Sequence, residues 1–274
     1  MITPALSAIS IALPLWQSLH AKPFAGAVAS RFARACNLVD DQGRVIALTL
    51  PALGNGPFSI IVGADIGRFT ELTPDQRAYV DTERIVVGGW HIPLTSACIW
   101  DATLPGNGPL QLGPGIATIL QPYAQWPART ADTAAAAAMT RRLARGARAL
   151  LDALEQGNDL AEAARQLAGL GHGLTPAGDD YLVGAIAALW LLGDRDLAPI
   201  IARSAAPHTT TLSSAFLLAA AQGQFVEPWH QLARALARQS AVECGAAAQR
   251  ITEIGASSGR DALAGFAASV LNRL

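Results

Sequence analysis

Lysine is almost missing from this chain: Lys22 is the only one, and arginine supplies nearly all the positive charge. That excludes a Walker-type phosphate loop, which needs a lysine beside its glycines, and leaves a Schiff-base mechanism one candidate near the N-terminus. Cysteine is scarce as well. Cys36, Cys98 and Cys244 stand far apart with no CxxC pair, so neither a disulfide framework nor structural zinc is expected, and reduced core thiols are the default. His20, His91, His172, His208 and His230 show no HxH or HExxH spacing, which argues against catalytic zinc. Charge is sparse at 15% of residues and nets to −1, so no basic field invites nucleic acid or an anionic membrane. No apolar run is long and clean enough to span a bilayer. The apolar opening Met1–Leu15 is interrupted by Pro4 and Pro14, and its nearest positive charge, Lys22, follows it. A secretory leader has the reverse order, so a cytoplasmic protein is expected.

What the chain has in quantity is apolar surface, 51% of 274 residues, enough for one large domain or two smaller ones. Up to about Trp126 the text reads as β. Val28–Val39 suits a strand or short helix, and Asp40-Asp41-Gln42-Gly43 is a turn signal. Arg44–Leu50, Phe58–Gly63, Ile85–Val87 and Ala97–Trp100 are expected strands, and the Gly- and Pro-rich Pro105–Pro114 an exposed connection. From Thr130 the pattern is helical, beginning with Ala131–Gln156 and Asp159–Leu167, the latter capped by Asp159. An apolar helix over Asp180–Leu192 should be buried and central, followed by helices at Leu197–Ala205, Thr211–Ala221, Pro228–Arg238, Ala241–Glu253 and Arg260–Leu274. The expectation is an α+β protein: a β-rich N-terminal part, residues 1–127, packed on an all-helical C-terminal part, residues 128–274.

The most informative stretch is Gly169–Gly184, GLGHGLTPAGDDYLVG. Alternating glycines, then Thr-Pro-Ala-Gly, then Asp179-Asp180 ahead of an apolar run describe a glycine-rich loop opening a helix, a ready place for an anion. The paired carboxylates could take a proton, hold Mg²⁺ or simply cap the helix. Two further polar junctions precede apolar helices, Pro207–Ser214 and Gly255–Asp261. Taken singly, their Ser and Thr residues are ordinary caps. If the three converge they form one anion-sized polar pocket. A serine nucleophile would need a base, and His172 or His208 could serve, but neither lies in a GxSxG elbow.

The run Gly-Leu-Gly-x-Gly-Leu-Thr-Pro-Ala-Gly-Asp-Asp, Gly169–Asp180, resembles the hallmark of the family of the H subunit of bacterial oxamate carbamoyltransferase. The likeness extends to Ser30-Arg31-Phe32, to Ala35-Cys36-Asn37-Leu38, and to Gly54-Asn55-Gly56-Pro57. Downstream it takes in Thr210-Thr211-Leu212-Ser213 with Gly223, and Ser257-Ser258-Gly259-x-Asp261 with Gly265. Ala177 stands where serine is common, so no role for that hydroxyl carries over. The resemblance implies a part in anaerobic allantoin breakdown, in which oxalurate and phosphate give oxamate and carbamoyl phosphate, beside other subunits of a complex. Its substrate would be a small anion such as carbamoyl phosphate, oxamate or a phosphate-like species. On that reading Gly171, Gly173, Thr175 and Gly178 sit on the anion, with Thr210, Ser213, Ser257, Ser258 and Gly259 from the other junctions and Asn37 or Asn55 from the β part. Asp179 is the acid–base or metal-ordering group and Asp180 its helper or the cap. No metal site and no certain cofactor are expected beyond the option of Mg²⁺. Two alternatives stay open: a ribokinase-like phosphotransferase, because TPAGDD resembles a sugar-kinase anion hole, and a non-catalytic ligand-binding or scaffold subunit.

Overall fold

The computed structural model describes residues 7–63, 68–105, 112–127 and 133–273. The chain divides into two compact units, Met1–Ala102 and Thr103–Leu274, the first a curled β-sheet and the second all-helical. The fold class is α+β. The division falls ahead of the compositional change near Thr130, because Leu104, Ile116 and Leu120 already belong to the helical core.

Among the described residues the strands of the first unit form one nine-stranded sheet. In chain order it holds β1 (Ser7–Ala12), helix α1 (Leu13–Ala21), β2 (Phe24–Arg31), β3 (Ala35–Asp40), β4 (Val45–Thr49) and β5 (Ser59–Gly63). Then come β6 (Arg77–Val80), β7 (Arg84–Val87), β8 (Trp90–Pro93) and β9 (Cys98–Trp100). Their spatial order is β8-β7-β6-β2-β3-β4-β5-β1-β9, antiparallel except for the β4–β5 and β1–β9 pairs. The expected single element at Val28–Val39 is in fact parts of two strands, with Gly26 facing Asp40 and Arg31 facing Cys36. The apolar opening of the sequence supplies β1, an interior strand with Ile11 buried. Its apolar character follows from neighbours on both edges. Ile11, Leu38, Leu48, Ile60, Val80 and Ile85 belong to the core of this unit.

The helical unit comprises α2 (Pro114–Leu120), α3 (Ala134–Gln156), α4 (Leu160–Leu167), α5 (Ala177–Leu192) and α6 (Ala198–Ala205). It continues with α7 (Thr211–Ala221), α8 (Glu227–Ala237), α9 (Ala241–Thr252) and α10 (Ser258–Leu271). Pro114, read as part of a loop, instead opens α2, where a first-turn proline costs no hydrogen bond. The rest of that expected connection falls largely on residues 106–111, outside the described residues. Thr133, Thr210 and Ser240 cap α3, α7 and α9 through their side chains. Asp159 takes the cap position of α4 but makes no side-chain cap bond, so it does not cap as expected.

Helix α5 is the axis of this unit, buried on nearly every side. It crosses α10 at very close range. A Cβ on Gly184 would run into the carbonyl of Ala262, and one on Gly265 into that of Tyr181. Backbones approach this closely only where side chains are missing, which fixes α10 and the loop before it against the first turns of α5.

Candidate functional site

Helix α5 begins at Ala177, with Pro176 as its cap residue, three residues earlier than the apolar run suggested. Asp179 and Asp180 therefore both lie in the first helical turn and point about 100° apart. Their surroundings differ accordingly.

Asp179 is 1% exposed, and both of its oxygens are engaged. Oδ1 accepts the Gly169 N–H at 2.9 Å, and Oδ2 accepts a short bond from the Thr209 hydroxyl. Ser213 Oγ is buried, has no partner of good hydrogen-bond geometry, and stands close enough to favour the charged form of Asp179. Burial nonetheless dominates and raises the Asp179 pKa; Thr209, Gly169 and Ser213 lower it only in part. The sequence reading made Asp179 the acid–base or metal-ordering group and Asp180 its helper or the cap. In the folded chain it is Asp179 that ties two loops to α5.

Asp180 Oδ2 is buried and has no hydrogen-bond partner of good geometry. Burial pushes its pKa up to about 8; the Ser258 and Thr175 hydroxyls pull it down, and the carboxylates of Asp261 and Asp179 push it further up. Thr175 Oγ1 and Ser258 Oγ are 2.7 Å apart and bonded to each other. Asp261 in turn accepts from Trp126 Nε1 at 2.7 Å, and the Trp126 ring stacks at 4.5 Å on Tyr181. At neutral pH Asp180 is a neutral carboxyl group with an O–H to give.

The three polar junctions converge. Thr210, besides capping α7, donates to the Leu174 carbonyl at 2.6 Å, which joins the second junction to the glycine loop. Thr175–Ser258 joins the third. Loop residues 171–175 send none of their backbone N–H groups to an acceptor among the described residues. Gly173 adopts φ +97° with open space beside it, a conformation that favours glycine and keeps the loop's outer face bare.

Other candidates are placed differently. The Gly178 N–H is taken by the Leu170 carbonyl at 2.8 Å, and the Gly259 N–H by Ile254 at 3.0 Å. Side chains at both positions would clash with backbone carbonyls, so these glycines serve close packing. Ser257 precedes α10 without a side-chain cap bond. Asn37 donates to Ser30 Oγ at 2.8 Å and Asn55 accepts from Ser10 at 2.6 Å, both within the sheet unit. His172 and His208 are exposed, and neither bonds a serine among the described residues. Among the described residues no cluster of three or more His, Cys, Asp or Glu is arranged to hold a metal ion, and no helix is long and apolar enough to cross a membrane. Thr209 and Tyr181 lie in stretches the sequence singled out, without an assigned role, whereas Trp126 escaped the sequence reading because nothing local distinguishes it.

Two comparisons bear on this arrangement. Residues 167–270 match the family described as oxamate carbamoyltransferase subunit AllH, and residues 7–99 match the AllH family N-terminal domain. No solved structure matches the chain.

Proposed function

The chain belongs to the AllH family, and from that premise we propose that its helical unit binds and transfers the carbamoyl group in an oxamate carbamoyltransferase complex. The reaction is that of oxalurate and phosphate with oxamate and carbamoyl phosphate. The observation that carries this reading is Asp180: a buried carboxyl held neutral at physiological pH, at the meeting point of three loops, with an oxygen lacking a partner of good geometry.

In the proposed step a phosphate oxygen attacks the carbamoyl carbon of oxalurate, and negative charge gathers on the carbamoyl oxygen. The backbone amides of residues 171–175 suit that charge, or the phosphate itself, because fixed N–H donors need no reorganisation as charge develops. The carbamoyl C–N bond then breaks, and the leaving nitrogen of oxamate requires a proton. Asp180 supplies it; a carboxyl with a pKa near the working pH is matched to the task. The proton that phosphate gives up on becoming the mixed anhydride carbamoyl phosphate restores the acid, so the step balances without another reactant. Asp179 is a positioning residue, holding Gly169 and Thr209 so that the loops present their amides.

The test is phosphate-dependent formation of carbamoyl phosphate from oxalurate by this chain with its partner subunits, using wild type and Asp180→Asn. Loss of at least a hundredfold in turnover, with an unchanged circular dichroism spectrum, is expected for removal of a general acid. Full turnover by Asp180→Asn, or by the partners without this chain, would reduce it to a scaffold subunit.

A further inference from the structure

A second concave site lies elsewhere in the helical unit, in the cleft where α3 meets α4. It encloses about 400 Å³, and Arg142, Arg145 and Arg165 line it together with Gln166. That volume is in the range of small-molecule sites and too small for a macromolecular groove.

The charge in it is unusual for this chain. Arg142 and Arg145 sit three apart on α3, so their guanidinium groups are neighbours and repel. Neither has a hydrogen bond or ion pair among the described residues, whereas Arg148, one turn on, pairs with Asp152 at 2.9 Å. Arg165 comes in from α4 and is held by Glu162 through Nε at 3.1 Å and Nη2 at 2.6 Å. Among the described residues no carboxylate belongs to the cleft wall itself. Two positive charges thus remain uncompensated in one concavity of a protein whose net charge is −1.

Packing, not chance exposure, brings the arginines together. Gly146 is buried where α3 meets α4, and a Cβ there would lie 2.8 Å from Leu167 Cδ2. Its missing side chain lets the helices close until Arg165 shares a wall with Arg142 and Arg145. Planar guanidinium groups converging from two helices bind phosphoryl oxygens in pairs, with an amide beside them for a neutral oxygen.

We propose that this cleft binds a phosphorylated small molecule carrying two or more negative charges. Its arginines take no part in the Asp180 site, although its wall ends at Ala168 and Leu170, on either side of Gly169.

The test is isothermal titration of the full-length chain with inorganic pyrophosphate, inorganic phosphate and citrate at fixed ionic strength, using wild type, Arg142→Gln/Arg145→Gln and Asp180→Asn. Glutamine keeps helix propensity at two exposed positions, so the fold should survive. Wild type should bind one pyrophosphate, more tightly than phosphate or citrate. The double variant should weaken that binding at least tenfold, and Asp180→Asn should leave it within twofold. Failure of pyrophosphate to bind wild type, equal affinity in the double variant, citrate binding as tightly as pyrophosphate, or loss only in Asp180→Asn would each overturn the proposal. The last outcome would move the anion to the Asp180 site and leave the reading of that site standing.

Discussion

Each unit of this protein buries aspartate, and Asp40 in one and Asp180 in the other are treated in opposite ways. In the sheet unit, Asp40 at the end of β3 has a side chain 1% exposed, with Arg44 Nε at 2.6 Å and the backbone N–H groups of Gln42 and Arg44 on its other oxygen. Burial raises its pKa, but those bonds and the Arg44 charge together outweigh burial and hold it below the ordinary value. In the helical unit, Asp180 meets hydroxyl groups and other carboxylates but, among the described residues, no cation, and burial wins. A buried carboxylate given a guanidinium is settled as part of the fold. One given only hydroxyls keeps a proton at neutral pH and remains available for chemistry.

The contrast can be broken at several points. The largest effect is expected on turnover: Asp180→Asn should lose a hundredfold or more, while Asp40→Asn, which disturbs only the sheet unit's own pair, should stay within a few-fold. Assays of both variants with partner subunits decide it, and equal losses would erase the distinction.

The pH response should also split. Asp180 has a folded pKa of about 8, above its unfolded value of 3.8. Its contribution is therefore fully present below the unfolded value and is lost as pH rises through the folded one, by on the order of a few kcal/mol. Melting curves from pH 5 to 9 should show Asp180→Asn gaining on wild type as pH rises. Asp40 runs the other way: its pKa is lowered, so its contribution is present above the unfolded value and disappears as acid protonates it. A melting difference between Asp180→Asn and wild type that stays flat across this range would mean that Asp180 is ionised throughout.

Arg44→Ala should destabilise the sheet unit by about 1.5–3 kcal/mol, since it strips a buried carboxylate of its charged donor. Denaturant unfolding gives the figure, and a change under 0.5 kcal/mol would show that the backbone amides suffice for Asp40. The smallest effect belongs to Thr210→Ala, which removes the α7 cap and the tie to Leu174. It should cost about 1 kcal/mol. If the tie matters to the site, turnover falls more than stability does; a purely thermal effect would make Thr210 a cap and nothing else.

Much of this was legible in the chain. Helix periodicity, glycine stops and hydroxyl caps act within a few residues, so α3 to α10 and the strands at Val45–Thr49 and Ser59–Gly63 stand close to where local pattern put them. The resemblance carried by Gly169–Asp180 pointed to the family, because a loop needing several special backbone conformations leaves a dense signature. What local pattern could not give was neighbourhood. It could not separate β2 from β3, since short apolar runs acquire their state from the strands beside them. Nor could it tell Asp179 from Asp180. Adjacent in sequence and identical in chemistry, they diverge only because one faces the Gly169 amide and Thr209 while the other faces Thr175, Ser258 and Asp261, residues up to 81 positions away. Desolvation and hydrogen bonding are set by what packs around a group, so the pKa of Asp180 and the convergence of three arginines about Gly146 were decided by the tertiary structure alone.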